Sequence, residues 1–491
     1  MGSGWSRTNY SWYKSFLKKE LIVLTSILLL CFGLRVFNFS SASLWVDEAY
    51  TMMLAHQKTH DIVKTSVNDI NPPLYGIVVR KWAKHFGFTH VSLRFFSVIC
   101  SILTGIILYR IGRKYFNYLT AVSAVLFYSF SNLQIYYAEE ARGYALAGLL
   151  CAASTYYFLS FIRHKKTVTL VMLTLMNILI LYTHYVAGFL FVAQAIIAVL
   201  FFYNKFRFLW KYLLSQLIAL SAFLPWFLSS WFKLDGFQIG WLPELSFGVI
   251  EYFFIQVLNS KTILILILFW LLISFILFLV FKNNRKLKQY FVIFTLGVMP
   301  LILICLSTQY YVRLFLDRYI LFSTVSMFIF FGFIFSSVRI HLLFKTLMIG
   351  IYLYLAIANV KVDAFRNEEW DRACATGAAL TNDTTTVLLN PPYIKFCFDY
   401  YNLRWAYDND YKHIEQIRTK HNIFAVGDTN SIKDLSYRLG NRIIFYSSHY
   451  WGGDNDKKTI ESFLSKTYNQ TYLHQFWNVR LYVYEKKQQL P

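Results

Sequence analysis

Runs of roughly twenty apolar residues recur through the first three quarters of this chain, and each is long enough to cross a bilayer as a helix. A water-soluble globule does not carry that pattern, and in lipid only helices and closed barrels satisfy their backbone groups internally. The composition agrees: 57% of the 491 residues are hydrophobic, 15% are charged, and the mean hydropathy is +0.43. The apolar runs predict eleven crossings, over 20–38, 91–109, 118–136, 143–162, 167–183, 186–203, 212–231, 262–281, 289–308, 318–337 and 342–360. The first run, Leu21 to Phe39, follows Arg7, Lys14, Lys18 and Lys19 as a signal peptide would. No small-residue cleavage site follows it, so it reads as a retained helix.

The formal charge of +22 is not spread evenly, since residues 1–362 carry +21 and residues 363–491 only +1. The loops between spans alternate in character. One set, from Arg110, Arg113 and Lys114 through Arg163, Lys165 and Lys166 to Lys282, Arg285, Lys286 and Lys288, contains no Asp or Glu. The other holds Asp47, Glu48, Asp61, Asp69, Glu139, Glu140, Asp235, Glu244, Glu251 and Asp317, which leaves Glu20 as the one acid of the membrane part on the basic side. By the positive-inside rule the basic loops and the N-terminus are cytoplasmic, and the acidic loops face outward. The basic balance is therefore explained by orientation among membrane lipids, and nucleic acid is excluded as a partner.

After Val362 the composition changes abruptly. Helices are expected over 368–380, 393–402, 431–439 and 457–467, and strands over 385–390, 422–427, 442–447 and within 472–484, which is a small outward-facing α/β domain. It has no Gly-rich phosphate loop; Gly440 reads as a helix stop and Gly452-Gly453 as a turn. The expected architecture is thus a polytopic α-helical membrane part, 1–362, with a long first outer loop, 39–90, and a soluble extracytoplasmic α/β domain, 363–491. Met52, Met53, Leu54, Ile62 and Val63 in the first outer loop, and the segment Trp231 to Lys261, suggest helices lying in the membrane interface. Cys31, Cys100, Cys151 and Cys305 fall in or beside apolar runs; Cys374 and Cys397 are the pair able to bridge in the terminal domain. A divalent cation is compatible with the acidic loops, but no ligand spacing calls for one.

Four polar clusters fall at outward ends of spans. Asp47 and Glu48 follow the first span, where adjacent acids facing lipid would be very costly. A rigid turn, Asp69-Ile70-Asn71-Pro72-Pro73-Leu74-Tyr75, lies a short way downstream. Glu140, Arg142 and Tyr144 join the third and fourth spans, His184 and Tyr185 the fifth and sixth, and Arg318 with Tyr319 opens the tenth. Each has a plainer role open to it. The acids can cap an interfacial helix, Glu140 and Arg142 can pair, His184 can be structural, and Arg318 can snorkel. All four on one face point instead to a common hydrated cavity. A transfer reaction there needs a carboxylate base for a hydroxyl acceptor, which Asp47 supplies. It also needs fork-shaped cations for a phosphate leaving group, which Arg142 and Arg318 supply.

Trp45-x-Asp47-Glu48-Ala49, Asn71-Pro72-Pro73-Leu74-Tyr75, Leu93-Arg94-x-x-Ser97, Glu140-x-Arg142-x-Tyr144, Thr183-His184-Tyr185 and Arg318-Tyr319, in this order, resemble bacterial members of glycosyltransferase family 39. These are GT-C membrane enzymes similar to protein O-mannosyltransferases and to the aminoarabinose transferase of lipid A. The resemblance implies a polyprenyl-phosphate-linked monosaccharide donor, an acceptor hydroxyl outside the bacterial plasma membrane, and inversion at the anomeric carbon. By the same resemblance Asp47 is the general base and Glu48 positions acceptor or sugar. Arg142 and Arg318 hold the lipid phosphate, with Tyr319 and His184 nearby and Asp69, Asn71, Glu140, Tyr144 and Tyr185 in support. The chain departs from many relatives at Asn71, where they carry His, and at Glu139, where they carry Gln. A transporter or flippase would place its ionisable residues near mid-span in paired halves, and a receptor would put its ligand on the soluble domain. Neither pattern is visible here.

Overall fold

A computed structural model describes residues 7–69, 71–231, 242–281, 284–338, 341–361, 368–448 and 455–488. Ile70 of the Pro-Pro stretch, Asp235 and Trp241 of the second outer segment, Lys282 of the basic loops, Val362 and the Gly452-Gly453 turn lie outside the described residues. The chain forms two compact units, Met1–Phe37 with Val63–Tyr75 and Arg94–Asp363, and Asn38–Ile62 with Gly76–Leu93 and Ala364–Pro491.

The helices up to residue 358 are α1 (Arg7–Val36), α2 (Val46–His56), α3 (Thr59–Asp69), α4 (Leu74–Phe86), α5 (His90–Ile111), α6 (Tyr118–Phe130), α7 (Asn132–Glu139) and α8 (Tyr144–His164). There follow α9 (Thr167–Thr183), α10 (Phe189–Phe202), α11 (Phe206–Trp231), α12 (Phe247–Leu258), α13 (Lys261–Phe281), α14 (Asn284–Tyr310), α15 (Asp317–Ser337) and α16 (Leu342–Ala358). Each apolar run lies on helix, but the one expected over 118–136 is broken at Ser131, whose ψ of 119° is extended between α6 and α7. Among the described residues six helices are long and apolar enough to cross a membrane, and α12 with α13 adds a seventh if that bent pair is one span.

The 93° bend between α12 and α13 has a local cause. Asn259 takes a φ of +71°, a left-handed conformation that Asn tolerates better than most residues. Its side chain accepts from the Asn132 backbone N–H at 2.8 Å and donates to the Phe130 carbonyl at 2.6 Å. α15 is the central helix of the first unit, packed against α6, α8 and α14. Its apolar window is 94% buried, against 28% for α11. Uncharged polar groups tie other helices together. Gln194 donates to Ser154 at 2.8 Å, Ser154 to Asn177 at 2.7 Å and Asn177 to Gln216 at 2.8 Å, linking α8, α9, α10 and α11 where water offers no alternative partner. Glu20, the lone acid of the basic set, is met by Arg113 Nε at 3.0 Å.

In the second unit the later elements are α17 (Trp370–Leu380), β1 (Thr385–Asn390), α18 (Lys395–Asn402), α19 (Arg404–Asn409), α20 (Ile414–Lys420), β2 (Ile423–Ala425), α21 (Thr429–Lys433), β3 (Arg442–Ser448), α22 (Asn455–Thr467), β4 (Tyr468–Phe476) and β5 (Val479–Lys486). The sheet order is β2-β1-β3-β5-β4, with β1 parallel to both β2 and β3, and β5 antiparallel to β3 and β4. β1 is buried along its whole length, as the unbroken apolar run Val387-Leu388-Leu389 requires of a central parallel strand. Cys374 and Cys397 are both buried free thiols.

The apolar face of α2 corrects one expectation. Met53, Leu54 and Ile62 are buried together, with Tyr50, Ile77, Phe396 and Tyr411 packed against them, so protein covers this face where the interface was expected to. Asp399 on α18, which acts electrostatically on Tyr411 of that cover, is buried and ion-paired with Arg418 of α20. Burial raises the Asp399 carboxyl to about 7, against the pull of Arg418. Removing one partner of a buried pair typically costs about 3–5 kcal/mol, so Arg418→Met lowers the melting temperature in detergent, and adding Asp399→Asn recovers most of the loss. The carboxyl stands above its unfolded value of 3.8, so its burial penalty is absent below that pH and full above about 7. Below about 7 the carboxyl is protonated with or without Arg418, so thermal scans show the deficit of the single variant opening as pH rises through about 7, where wild type forms the ion pair and the variant does not.

Candidate active site

In the first unit, residues from four separate segments gather around His184, which lies between α9 and a short 3-10 turn, Tyr185–Gly188. The ring of Tyr144, the first residue of α8, stands 5.8 Å from it and that of Tyr319, in the first turn of α15, 5.5 Å; Tyr185 stacks at 6.3 Å. Tyr137 extends this wall, 5.4 Å from Tyr144. The Arg318 guanidinium lies over the Tyr319 ring at 5.7 Å. Burial lowers the His184 pKa to about 4, and the charges of Arg142 and Arg318 push the same way, so both cations are close enough to act on one imidazole. Glu140, buried beside Arg142 in the link between α7 and α8, and Asp317 both act on Tyr137. Asp69, at the end of α3, acts on Tyr185 and accepts from the exposed Asn71 amide at 2.6 Å.

The positions of the two arginines are informative. Arg142 comes just before α8, and Arg318 lies in the first turn of α15. A helix N-terminus already carries partial positive charge and disfavours a cation. Arginine at both places gains nothing for the helices, whereas two guanidiniums beside two helix N-termini favour an anion. Gly143 permits a close approach here, since a Cβ on it would sit 3.4 Å from Tyr75 and 3.7 Å from Thr183.

Asp47 and Glu48 form the first turn of α2 in the second unit, with Glu48 buried and Asp47 half-buried. Sequence reasoning missed their neighbour. Glu368, buried at 3% exposure, acts on both electrostatically, as does Asp47 on Tyr393. Nothing about Glu368 stands out in a chain segment with ordinary charge. Arg35 was missed as well. It is completely buried in the first unit, donating to Ser101 Oγ at 2.7 Å and to the carbonyls of Cys31, Ser129 and Tyr128 at 3.1–3.2 Å. Its signal was available, because an arginine inside an apolar run is a polar site by default. Glu139 lies within electrostatic reach of Arg35 and Arg94, and its Oε1 has no hydrogen-bond partner among the described residues. The cavity between Ser101, Thr104, Tyr128, Gln134, Tyr137 and Tyr144 is only about 10 Å³, room for about one water and none for a sugar.

The electrostatics of His184 are open to measurement. Replacing Arg142 with Gln removes one of the two cations that hold the imidazole neutral, so its pKa rises toward 6.5. Histidine-labelled NMR across pH 3 to 8, comparing wild type with Arg142→Gln, reads that shift directly.

Residues 71–229 match the family described as dolichyl-phosphate-mannose-protein mannosyltransferase. An uncharacterized protein of Aquifex aeolicus (strain VF5) is 25% identical over 227 residues, 45% of this chain; the match spans 44% of that relative's length. The crystal structure of ArnT from Cupriavidus metallidurans in the apo state superposes with a TM-score of 0.60 at 11% identity, over 96% of this chain and 98% of that one. Its undecaprenyl phosphate complex gives a TM-score of 0.56 at 12% identity over the same shares. The archaeal oligosaccharyltransferase AglB from Archaeoglobus fulgidus, in complex with an inhibitory peptide and a dolichol-phosphate, gives 0.54 at 11% identity, over 98% of this chain and 75% of that one. By fold the chain is similar to GT-C membrane glycosyltransferases of known structure, and its residues 71–229 match the mannosyltransferase family model.

Proposed function

We propose that this protein transfers a monosaccharide from a polyprenyl-phosphate carrier to a hydroxyl of an acceptor on the outer side of the membrane, with inversion at the anomeric carbon. The observation that carries the reading is the convergence of Arg142 and Arg318 on His184 from sequence positions far apart. Two fork-shaped cations suit the phosphodiester of such a donor, whose charge grows as the sugar leaves and a phosphate monoester is released. The complexes of ArnT with undecaprenyl phosphate and of AglB with a dolichol-phosphate support a donor of this class.

In this reading Asp47 takes the proton of the acceptor hydroxyl as its oxygen attacks the anomeric carbon. Glu48 orients the acceptor or the sugar. The bond from carbon to phosphate oxygen breaks on the opposite face, and the electron pair stays on the phosphate, where Arg142 and Arg318 hold it. His184, kept neutral, and Tyr319 provide hydrogen-bonding partners without adding charge. Asp69, Asn71, Glu140, Tyr144 and Tyr185 support the pocket wall. Residues 1–362 form the membrane part with a cytoplasmic N-terminus, and 363–491 face outward.

Two variants test the assignment on purified protein given a panel of labelled polyprenyl-phosphate sugars. A general base contributes about 10²–10⁴ in rate, so Asp47→Asn loses transfer by that factor while carrier lipid still binds. Charge-assisted bonds are worth about 1.5–3 kcal/mol, so Arg318→Ala weakens carrier binding by roughly ten- to a hundredfold. Wild-type turnover in Asp47→Asn removes Asp47 from the role of base.

A further inference from the structure

Within the second unit the turn that carries Asp47 and Glu48 is tied down at successive positions by residues from the far end of the chain. α2 starts without a cap of its own. Trp45 occupies the N-cap position in extended conformation, and no side chain there bonds the helix. Helices normally satisfy their first N–H groups with a Ser, Thr, Asp or Asn at that point. Here the buried Glu368 carboxyl accepts from the backbone N–H of Val46, the first residue of α2, and also from Trp370 Nε1.

Other groups from the same segment complete the brace. The Tyr401 hydroxyl of α18 accepts from the Leu44 N–H at 2.8 Å and lies 3.1 Å from Ser43 Oγ. Ser43 Oγ in turn accepts from the Asp371 N–H at 3.3 Å, and Cys397 Sγ donates to the Leu44 carbonyl at 3.8 Å. The Tyr50 ring meets Phe396 edge-on at 5.7 Å. Asp47 follows Val46 directly, so whatever fixes Val46 fixes the Asp47 backbone.

We infer that Glu368 is a positioning residue: it caps α2 from the C-terminal segment and, with Tyr401, sets where the Asp47 carboxylate stands. The inference rests on Asp47 being the base proposed above. A carboxyl suits the place for a second reason. Burial holds the Glu368 pKa up at about 8; the Trp370 bond opposes this, while Asp47 and Glu48 push it further the same way. A glutamine of the same shape keeps one carbonyl oxygen able to accept from the Val46 N–H.

The test uses the full-length protein in nanodiscs, with E368A, E368Q and Y401F, and two readouts. One is kcat and KM for a labelled polyprenyl-phosphate sugar; the other is amide hydrogen exchange of the peptide covering residues 43–50. An ångström of misplacement costs up to about a hundredfold in rate, so E368A lowers kcat by at least about tenfold with donor KM within about twofold, and it speeds exchange at 44–50. E368Q keeps kcat within about threefold of wild type and keeps the exchange protection, because an acceptor for the Val46 N–H is retained. Y401F, which removes only a hydroxyl, loosens residues 43 and 44, and it serves if E368A does not fold. The inference is overturned if exchange in E368A, or in Y401F where that serves, equals wild type, or if E368Q is as impaired as E368A. Wild-type protein inactive on every donor would refute the transferase reading alone, since the exchange comparison still decides whether Glu368 caps α2.

Discussion

A charged side chain enclosed in an apolar span has to be met by other polar groups, and the first unit is arranged around that necessity. Arg35 has no water to turn to, so Ser101 and three backbone carbonyls accept its protons, and the Tyr128 ring lies 5.0 Å from its guanidinium. Those partners lie on α1, α5 and α6, so satisfying one arginine fixes three helices against each other. Glu139 is placed by the same field, within reach of Arg35 and Arg94.

The wall around His184 follows from a related constraint. Arg142 and Arg318 stand beside helix N-termini, whose dipoles disfavour a cation. Aromatic rings from α8 and α15 line the remaining space and keep the imidazole neutral by excluding water. Two guanidiniums beside two helix N-termini give the region a positive character, which suits an anion.

Most helices of the first unit were legible, because an apolar run in lipid has essentially one way to satisfy its backbone. The break at Ser131 was not, since nothing in Phe130-Ser131-Asn132 announces that Asn259 and Asn359 will take hydrogen bonds there. β1 was readable over its whole extent from Thr385 to Asn390, whereas α19 and α20 were missed because each is too short to show an apolar stripe. In the candidate site the motif residues were visible as polar interruptions at span ends. Glu368 and Tyr401 were invisible for the opposite reason: acidic and aromatic residues are unremarkable in a segment of ordinary polarity, and only tertiary structure brings them to α2. The apolar stripe on α2 was seen but its cover was misjudged, because sequence reports that a face is apolar and not whether lipid or protein meets it.

The second unit is assembled from pieces that leave the ribosome far apart in time. Residues 38–62 and 76–93 are synthesised long before 364–491, yet their buried faces belong together. Until α18 is made, Met53, Leu54 and Ile62 have no native neighbours from it, a long-range closure of the kind that slows folding and exposes a chain to wrong partners. The early loop is therefore held in reserve by the order of translation itself, and its final shape is decided by the last quarter of the protein to emerge.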